Sequence, residues 1–339
     1  MAKGSVPARG KVVTAIATPM PLPAPTAIPP DGLLRRLRGS GRVVVAAAVL
    51  GVVVLACVAT LPWTLAKGDA NPSLPPAAMY FDQQNTDVAR QPPSTAPPRW
   101  FGTDVLGRSL LGRCLLGGAI SLAIGLAAAA ISVVLGVTVG LVAGYTGGWV
   151  DAVLMRTVDV LYGLPYVLLV VLFKIALEPV LQRLINPTAG NLIVLFLAIG
   201  LVSWLTMARV VRGQVLSLRA QPFVEAARAC GIGRWRIFTR HLLPNLVGPI
   251  TVYATLTVPQ AILQESFLSF LGIGVQPPVP TWGSLASDGI ALALNPINSL
   301  WWLLAFPCTL LAVTLLALNF VGDGLRDAFD PRSGAGAKL

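Results

Sequence analysis

Long apolar runs separated by short polar stretches organise this chain. Five runs carry no charged residue, at 43–66, 114–150, 184–208, 242–264 and 289–322. A sixth, at 151–177, is apolar from Val160 onward apart from Lys174 but holds Arg156 and Asp159 near its start. A membrane span needs about 20 predominantly apolar residues to cross roughly 30 Å of hydrocarbon, so every run is long enough. In lipid only helices and closed barrels satisfy the backbone, and no run shows the period-two alternation of a barrel strand. The pattern predicts an all-α membrane protein of six transmembrane helices, the first at 43–66 and the other five within 114–322.

Polar stretches frame those helices. Residues 1–42 are rich in Pro and Ala and lack periodicity, which predicts a disordered tail. The apolar run that follows starts too late and is too long for a signal peptide. Val54-Leu55-Ala56-Cys57 has the look of a lipoprotein cleavage box but lies inside a full span. A loop at 67–113 is Pro-rich to residue 98 and passes through a helix-like stretch at 105–116 into the second span; a short tail occupies 323–339.

Composition and charge add an orientation. Only 12% of the 339 residues are charged and 55% are hydrophobic, with mean hydropathy +0.74, whereas a soluble domain carries about 25% charged residues. Six spans place 18 of the 25 Lys and Arg on one side: in the N-terminal tail, at Arg156, along Arg209 to Arg240 and in the C-terminal tail. The other side holds 7. Cytoplasmic loops carry the basic excess, so both termini are expected in the cytoplasm. The net charge of +11 then lies beside anionic lipid and requires no nucleic acid partner.

Within the second run small residues recur every four positions, at Gly117, Ser121, Gly125 and Ala129 and again at Gly136, Gly140, Gly144 and Gly148. This spacing lets helix backbones approach closely in lipid, and the expectation is bundle packing, with Gly147-Gly148 making a tight turn. Chemistry-bearing constellations are sparse. Cys57, Cys114, Cys230 and Cys308 are scattered and His241 is the only histidine, so neither a metal site nor a Cys/His nucleophile is expected. No GxxxxGK[ST] occurs, so the chain is not expected to bind or hydrolyse ATP itself.

Charge at membrane depth is expensive and usually functional. Asp159 stands three residues after Arg156, a spacing that allows pairing on one helix face; a gate or path role is the alternative. Glu265 closes the fifth span beside Gln264 and Ser266, as a polar anchor or as part of a gate or path. Between the fourth and fifth spans lies a basic segment at 213–245. Pro222 suits a first helical turn and Glu225 complements its dipole. Phe223, Ala226, Ala227 and Cys230 give an apolar face, and Gly231 ends the helix in a left-handed conformation. Gly233 loosens the turn, Arg234 to Phe238 restart a helix, and Pro244 begins the next span. A knob rimmed by Arg228, Arg234, Arg236 and Arg240 can seat in a groove of a cytoplasmic partner or lie on lipid headgroups.

Glu225-Ala226-Ala227, Gly231 and Leu243-Pro244 together resemble the EAA signature of permease subunits of bacterial binding-protein-dependent ABC importers. His241 stands where the general signature has Ile and the peptide-importer branch often has His. The stretch WFGTDVLGR, ending at Arg108, is similar to the external motif of dipeptide, oligopeptide and nickel permeases, with Ser109 in place of the acidic residue usual after that Arg. SFLGIGVQPP at 269–278 with Thr281-Trp282-Gly283 is similar to the family's loop after the fifth span. NFVGDGLRDAFDP at 319–331 resembles the C-terminal end of the second of two paired peptide permeases.

That resemblance, over about residues 92–331, implies a type I ABC importer permease fold with its core at 114–322, in a bacterial cytoplasmic membrane. The implied partners are a sister permease in a heterodimer, two cytoplasmic ATPase subunits bringing ATP and Mg, an external solute-binding protein, and lipid. Glu225, Ala226, Ala227, Gly231, Leu243 and Pro244 are implied to couple the permease to the ATPases, and Asp159 and Glu265 remain candidates for gate or path. The implied solute is a short peptide. Nickel, glutathione or another small solute fits the same motifs, and an ion-coupled secondary transporter is the reading outside the class. No cofactor, metal ligand or catalytic residue is expected on this chain.

Overall fold

The computed structural model of the chain describes residues 40–66, 79–95 and 99–329. The tail expected at 1–42 falls outside them up to residue 39, as do 67–78 and 96–98 of the loop and the last ten residues of the chain. The fold is carried by α1 (Gly41–Ala59), α2 (Leu110–Thr146), α3 (Gly148–Tyr162), α4 (Tyr166–Leu184), α5 (Pro187–Arg219), α6 (Pro222–Ala229), α7 (Leu243–Phe270), α8 (Trp282–Ala293) and α9 (Trp302–Phe329). Among the described residues five helices are long and apolar enough to cross a membrane, and six spans result when the bent pair α3 and α4 is taken as one. The all-α, multi-pass architecture expected from the apolar runs is therefore the one observed.

The long helix α2 is the central post, with α5 packed along it and α7 against another face. Small residues set these approaches. A Cβ on Gly136 would lie 2.5 Å from the Met207 Cβ, one on Gly140 would lie 2.5 Å from the Ala208 carbonyl oxygen, and one on Gly144 would lie 2.8 Å from the Val215 Cβ. Gly125 faces Val258 and Ile262 of α7 in the same way. Gly148 does not belong to the stripe: it has positive φ and nothing within 4 Å of its Cβ direction, so it serves the turn into α3. At the end of α2 the Arg219 guanidinium donates to the carbonyls of Gly144 and Tyr145, each at 3.2 Å, a cation where helix carbonyls lack partners. Arg212 and Asp151 form a bidentate pair at 2.5 and 2.7 Å that ties α5 to α3.

Four boundaries differ from the sequence reading. The run at 151–177 is not one straight helix: α3 and α4 meet at 100°. Pro165 has no N–H to donate and itself stands outside the helical region at ψ 129°. The run at 289–322 is two helices. Asn295 Oδ1 accepts from the Ile297 N–H at 2.9 Å, an Asx turn, and Pro296 breaks the backbone ladder; α8 alone, about 18 Å long, is too short to cross. The stretch at 105–116 is helical only from Leu110, because Ser109 caps α2 by accepting from the Gly112 N–H, so the residue that departs from the family's acidic pattern serves as an N-cap here. Residues 323–329 of the tail expected at 323–339 are helical, as the last turns of α9.

Candidate functional site

At the end of the bundle where α5 finishes, the chain makes a compact knob from α6, a glycine bend, a short helix at Arg234–Ile237 and a π-turn at Phe238–Leu242. Pro222 sits in the first turn of α6 and Glu225 supplies its acidic first-turn residue, as the sequence predicts. Gly231 has φ +73°. Its N–H donates to Arg228 O at 3.0 Å, and the Ile232 N–H reaches back to Ala227 O at 3.1 Å, the paired bonds of a Schellman ending. Nothing lies within 4 Å of a Cβ direction at Gly231, so the requirement for glycine there is one of backbone conformation alone.

The buried face of α6 is not the one expected. Val224 and Ala227 are buried, Phe223 is half-buried, and Ala226 and Cys230 are exposed. Val224 and Ala227 join Ile237 and Leu242 in one apolar cluster with Leu141 of α2, Met207, Val211 and Val215 of α5 and Leu246 of α7. The knob is therefore rooted on the ends of three long helices, while Glu225, Ala226 and Arg228 remain outward. Trp235 is 74% exposed and stacks on Phe238 with ring centroids 5.3 Å apart. Leu243 is half-buried and opens α7, with Pro244 in its first turn. Because Pro244 cannot donate to the preceding turn, the backbone passes through the π-turn, in which the Leu243 N–H bonds to Phe238 O.

Asp159 does not pair with Arg156. Its carboxylate accepts from Arg209 of α5 at 2.8 Å, and the same guanidinium lies 3.9 Å from the centre of the Tyr162 ring. Glu265 is fully buried, and its partners are not its neighbours Gln264 and Ser266. Oε1 accepts from Ser269 at 2.7 Å and from Thr281 at 2.8 Å, and Thr281 is the N-cap of α8. Ser266 donates instead to Ile262 O of its own helix at 2.9 Å. Glu265 thus straps the end of α7 to the start of α8.

The same end of the bundle holds a charged cluster that sequence reasoning missed. Asp104 accepts from Arg113 Nη1 at 2.8 Å and from Arg108 Nε at 2.7 Å, and Arg108 also meets Asp82 at 2.9 Å. The signal was available in WFGTDVLGR, where an acid and a base four residues apart flank the Gly107 bend. Among the described residues no group of His, Cys, Asp and Glu could hold a metal ion.

Residues 136–334 match the family described as binding-protein-dependent transport system inner membrane component. The chain is 48% identical over 264 residues to the oligopeptide transport system permease protein OppC of Escherichia coli K12, covering 76% of this chain and 82% of that one. It is 44% identical over 250 residues to the dipeptide transport system permease protein DppC of Bacillus subtilis 168, covering 74% and 73%. Among solved structures it resembles a chain of the inward-facing MetNI methionine ABC transporter, with TM-score 0.51 and 18% identity, covering 63% of this chain and 94% of that one; this likeness is one of fold.

Proposed function

The chain belongs to the family of binding-protein-dependent transport system inner membrane components, and from that premise we propose that it pairs with a sister permease to form a path for short peptides across a bacterial inner membrane, driven by two ATPase subunits at its Glu225 end. Relatives named for oligopeptide and dipeptide transport support peptide as the solute. The chain is a transport subunit and not an enzyme; ATP and Mg belong to the partners. The basic excess around the knob supports a cytoplasmic placement for that end.

The observation that carries the coupling reading is the rooting of the exposed knob on α2, α5 and α7 through one shared core. Two ATPase subunits close on ATP, and their grooves pull on this knob and on its counterpart in the sister permease. A well-packed root transmits displacement rather than absorbing it, so the bundle opens toward the loaded binding protein, and hydrolysis resets it. Glu225 and Ala226 offer the outward contact surface, Ala227 and Leu243 the root, and Gly231 and Pro244 the fixed bends. Asp159, latched to Arg209 beside the bend between α3 and α4, and Glu265, strapping α7 to α8, serve as gate positions at the two ends.

Glu225→Lys and Gly231→Val in the assembled importer test this reading. Each is expected to lower peptide uptake at least tenfold, Glu225→Lys by reversing a contact charge and Gly231→Val by imposing a β-branched residue on a left-handed backbone position. The permease pair should still assemble, while the ATPase subunits co-purify less. Native uptake in both variants would remove the assignment.

A further inference from the structure

Between α4, α5 and α7 lies a cavity of about 470 Å³, within the size range of small-ligand sites. Among the described residues, none of the side chains lining it is charged, but several carry hydrogen-bonding groups. On α7, Tyr253, Thr257, Gln260 and Gln264 follow one another at intervals of four, three and four, which places them on one helix face. Of the other polar residues in the run at 242–264, Asn245, Thr251 and Thr255 each donate to a carbonyl one turn back. Across the cavity stand Tyr166 of α4 and Ser203 of α5. The Tyr166 hydroxyl and Gln264 Oε1 are buried and have no hydrogen-bond partner. Ser203 and Thr257 donate to carbonyls of their own helices, each at 2.8 Å, which leaves their oxygens able to accept.

Buried polar groups are nearly always bonded, and at membrane depth no bulk water compensates for a missing partner. Two orphaned groups on one uncharged cavity indicate a ligand that completes them. We propose that this cavity is a solute-contacting wall of the translocation path and that it recognises the uncharged backbone amides of an extended peptide. The proposal rests on the peptide-importer reading above and adds to it the residues and the chemistry of contact. Glutamine amides and tyrosine hydroxyls both donate and accept, which matches alternating N–H and C=O groups without regard to peptide side chains. The stripe from Tyr253 to Gln264 rises about 16 Å at 1.5 Å per residue. An extended peptide advances about 3.3 Å per residue, so about five residues fit along it. Tyr162, which lines the cavity, carries on its ring the Arg209 guanidinium that pairs with Asp159.

The test uses the complete importer in proteoliposomes, with the binding protein saturated by each peptide in turn. The Gln260→Leu, Gln264→Leu double variant is expected to lower tripeptide uptake at least tenfold, and Tyr166→Phe to lower it less, with subunit co-purification and ATP hydrolysis stimulated by the binding protein retained. In a second arm the tripeptide is N-methylated at its internal amides. The native importer is expected to carry it at least fivefold more slowly than the parent, and the double variant to carry both at the same slow rate. Native-level uptake by the double variant, or undiminished discrimination against the methylated peptide, overturns the proposal. If the double variant fails to assemble, Gln260→Leu alone, at an exposed position, is compared on the parent and methylated peptides; reduced discrimination supports the proposal and undiminished discrimination overturns it. Because Glu225→Lys disrupts drive whatever lines the path, a negative result here alongside an intact Glu225 effect rejects the cavity and leaves the coupling reading standing.

Discussion

Asp104→Ala is expected to destabilise the folded chain by about 3 kcal/mol, the lower end of the range for removing one partner of a buried ion pair. Asp104 and Arg113 are each 5% exposed. The carboxylate takes four donors: Arg113 Nη1, Arg108 Nε, and the backbone N–H groups of Leu106 and Arg108. Its loss leaves Arg113, whose Nε already has no partner, with the Asp288 carboxylate as its remaining opposite charge, and releases the bend at Gly107, which needs φ +73°. The damage reaches α9, because Trp302 Nε1 donates to Thr103 O at 3.1 Å from a buried position. Arg108 is less affected, since it keeps Asp82 at 2.9 Å.

An ion-pair origin makes a sharper claim than instability alone. Removing both buried charges, with Asp104→Ala and Arg113→Met together, is expected to cost less than Asp104→Ala by itself, because the guanidinium that lost its hydrogen-bonded carboxylate is removed as well. Thermal unfolding midpoints of the purified protein in detergent decide this. A double variant as unstable as the single one would mean that packing and the Gly107 bend, not the charge pair, hold this end together.

The parts of the fold legible in the sequence are those whose conformation is imposed locally. Pro222, Gly231 and Pro244 dictate a helix start, a left-handed ending and a second helix start by their own backbone chemistry, and all three stand where that chemistry predicts. Partners of charged groups are not legible, because spacing along the chain reveals only pairs within one helix. Asp159 meets Arg209, fifty residues onward, and Glu265 meets Thr281 beyond a loop. Apolar composition could not divide 289–322, since the residues on both sides of Asn295-Pro296 are equally apolar; the turn pair itself was the available sign. The polar face at Tyr253, Thr257, Gln260 and Gln264 was also within reach. Its sign is a helical period of polar residues inside an apolar run, the inverse of an apolar stripe.

Gly140→Leu is expected to cost about 3 kcal/mol, at the upper end of the range for overpacking a filled interior, and to leave little monodisperse protein after extraction. The nearest obstruction to a side chain there is the Ala208 carbonyl oxygen, 2.5 Å from where a Cβ would stand, followed by Val211 Cβ at 2.9 Å and the Arg212 N at 3.1 Å. Two of these are backbone atoms of α5, so no rotamer change relieves the contact, and α2 and α5 must move apart. Separation has no hydrophobic compensation in lipid, where helices associate through close packing and polar contacts. It also pulls on Arg212, whose pairing with Asp151 fixes α3, and on Val211 and Val215, which root the knob. The control is Gly51→Leu in α1, where nothing lies within 4 Å of the Cβ direction and no loss is expected. If Gly140→Leu unfolds at the same midpoint as the native protein and the Gly51→Leu control, the close approach of α2 and α5 is not what holds the bundle.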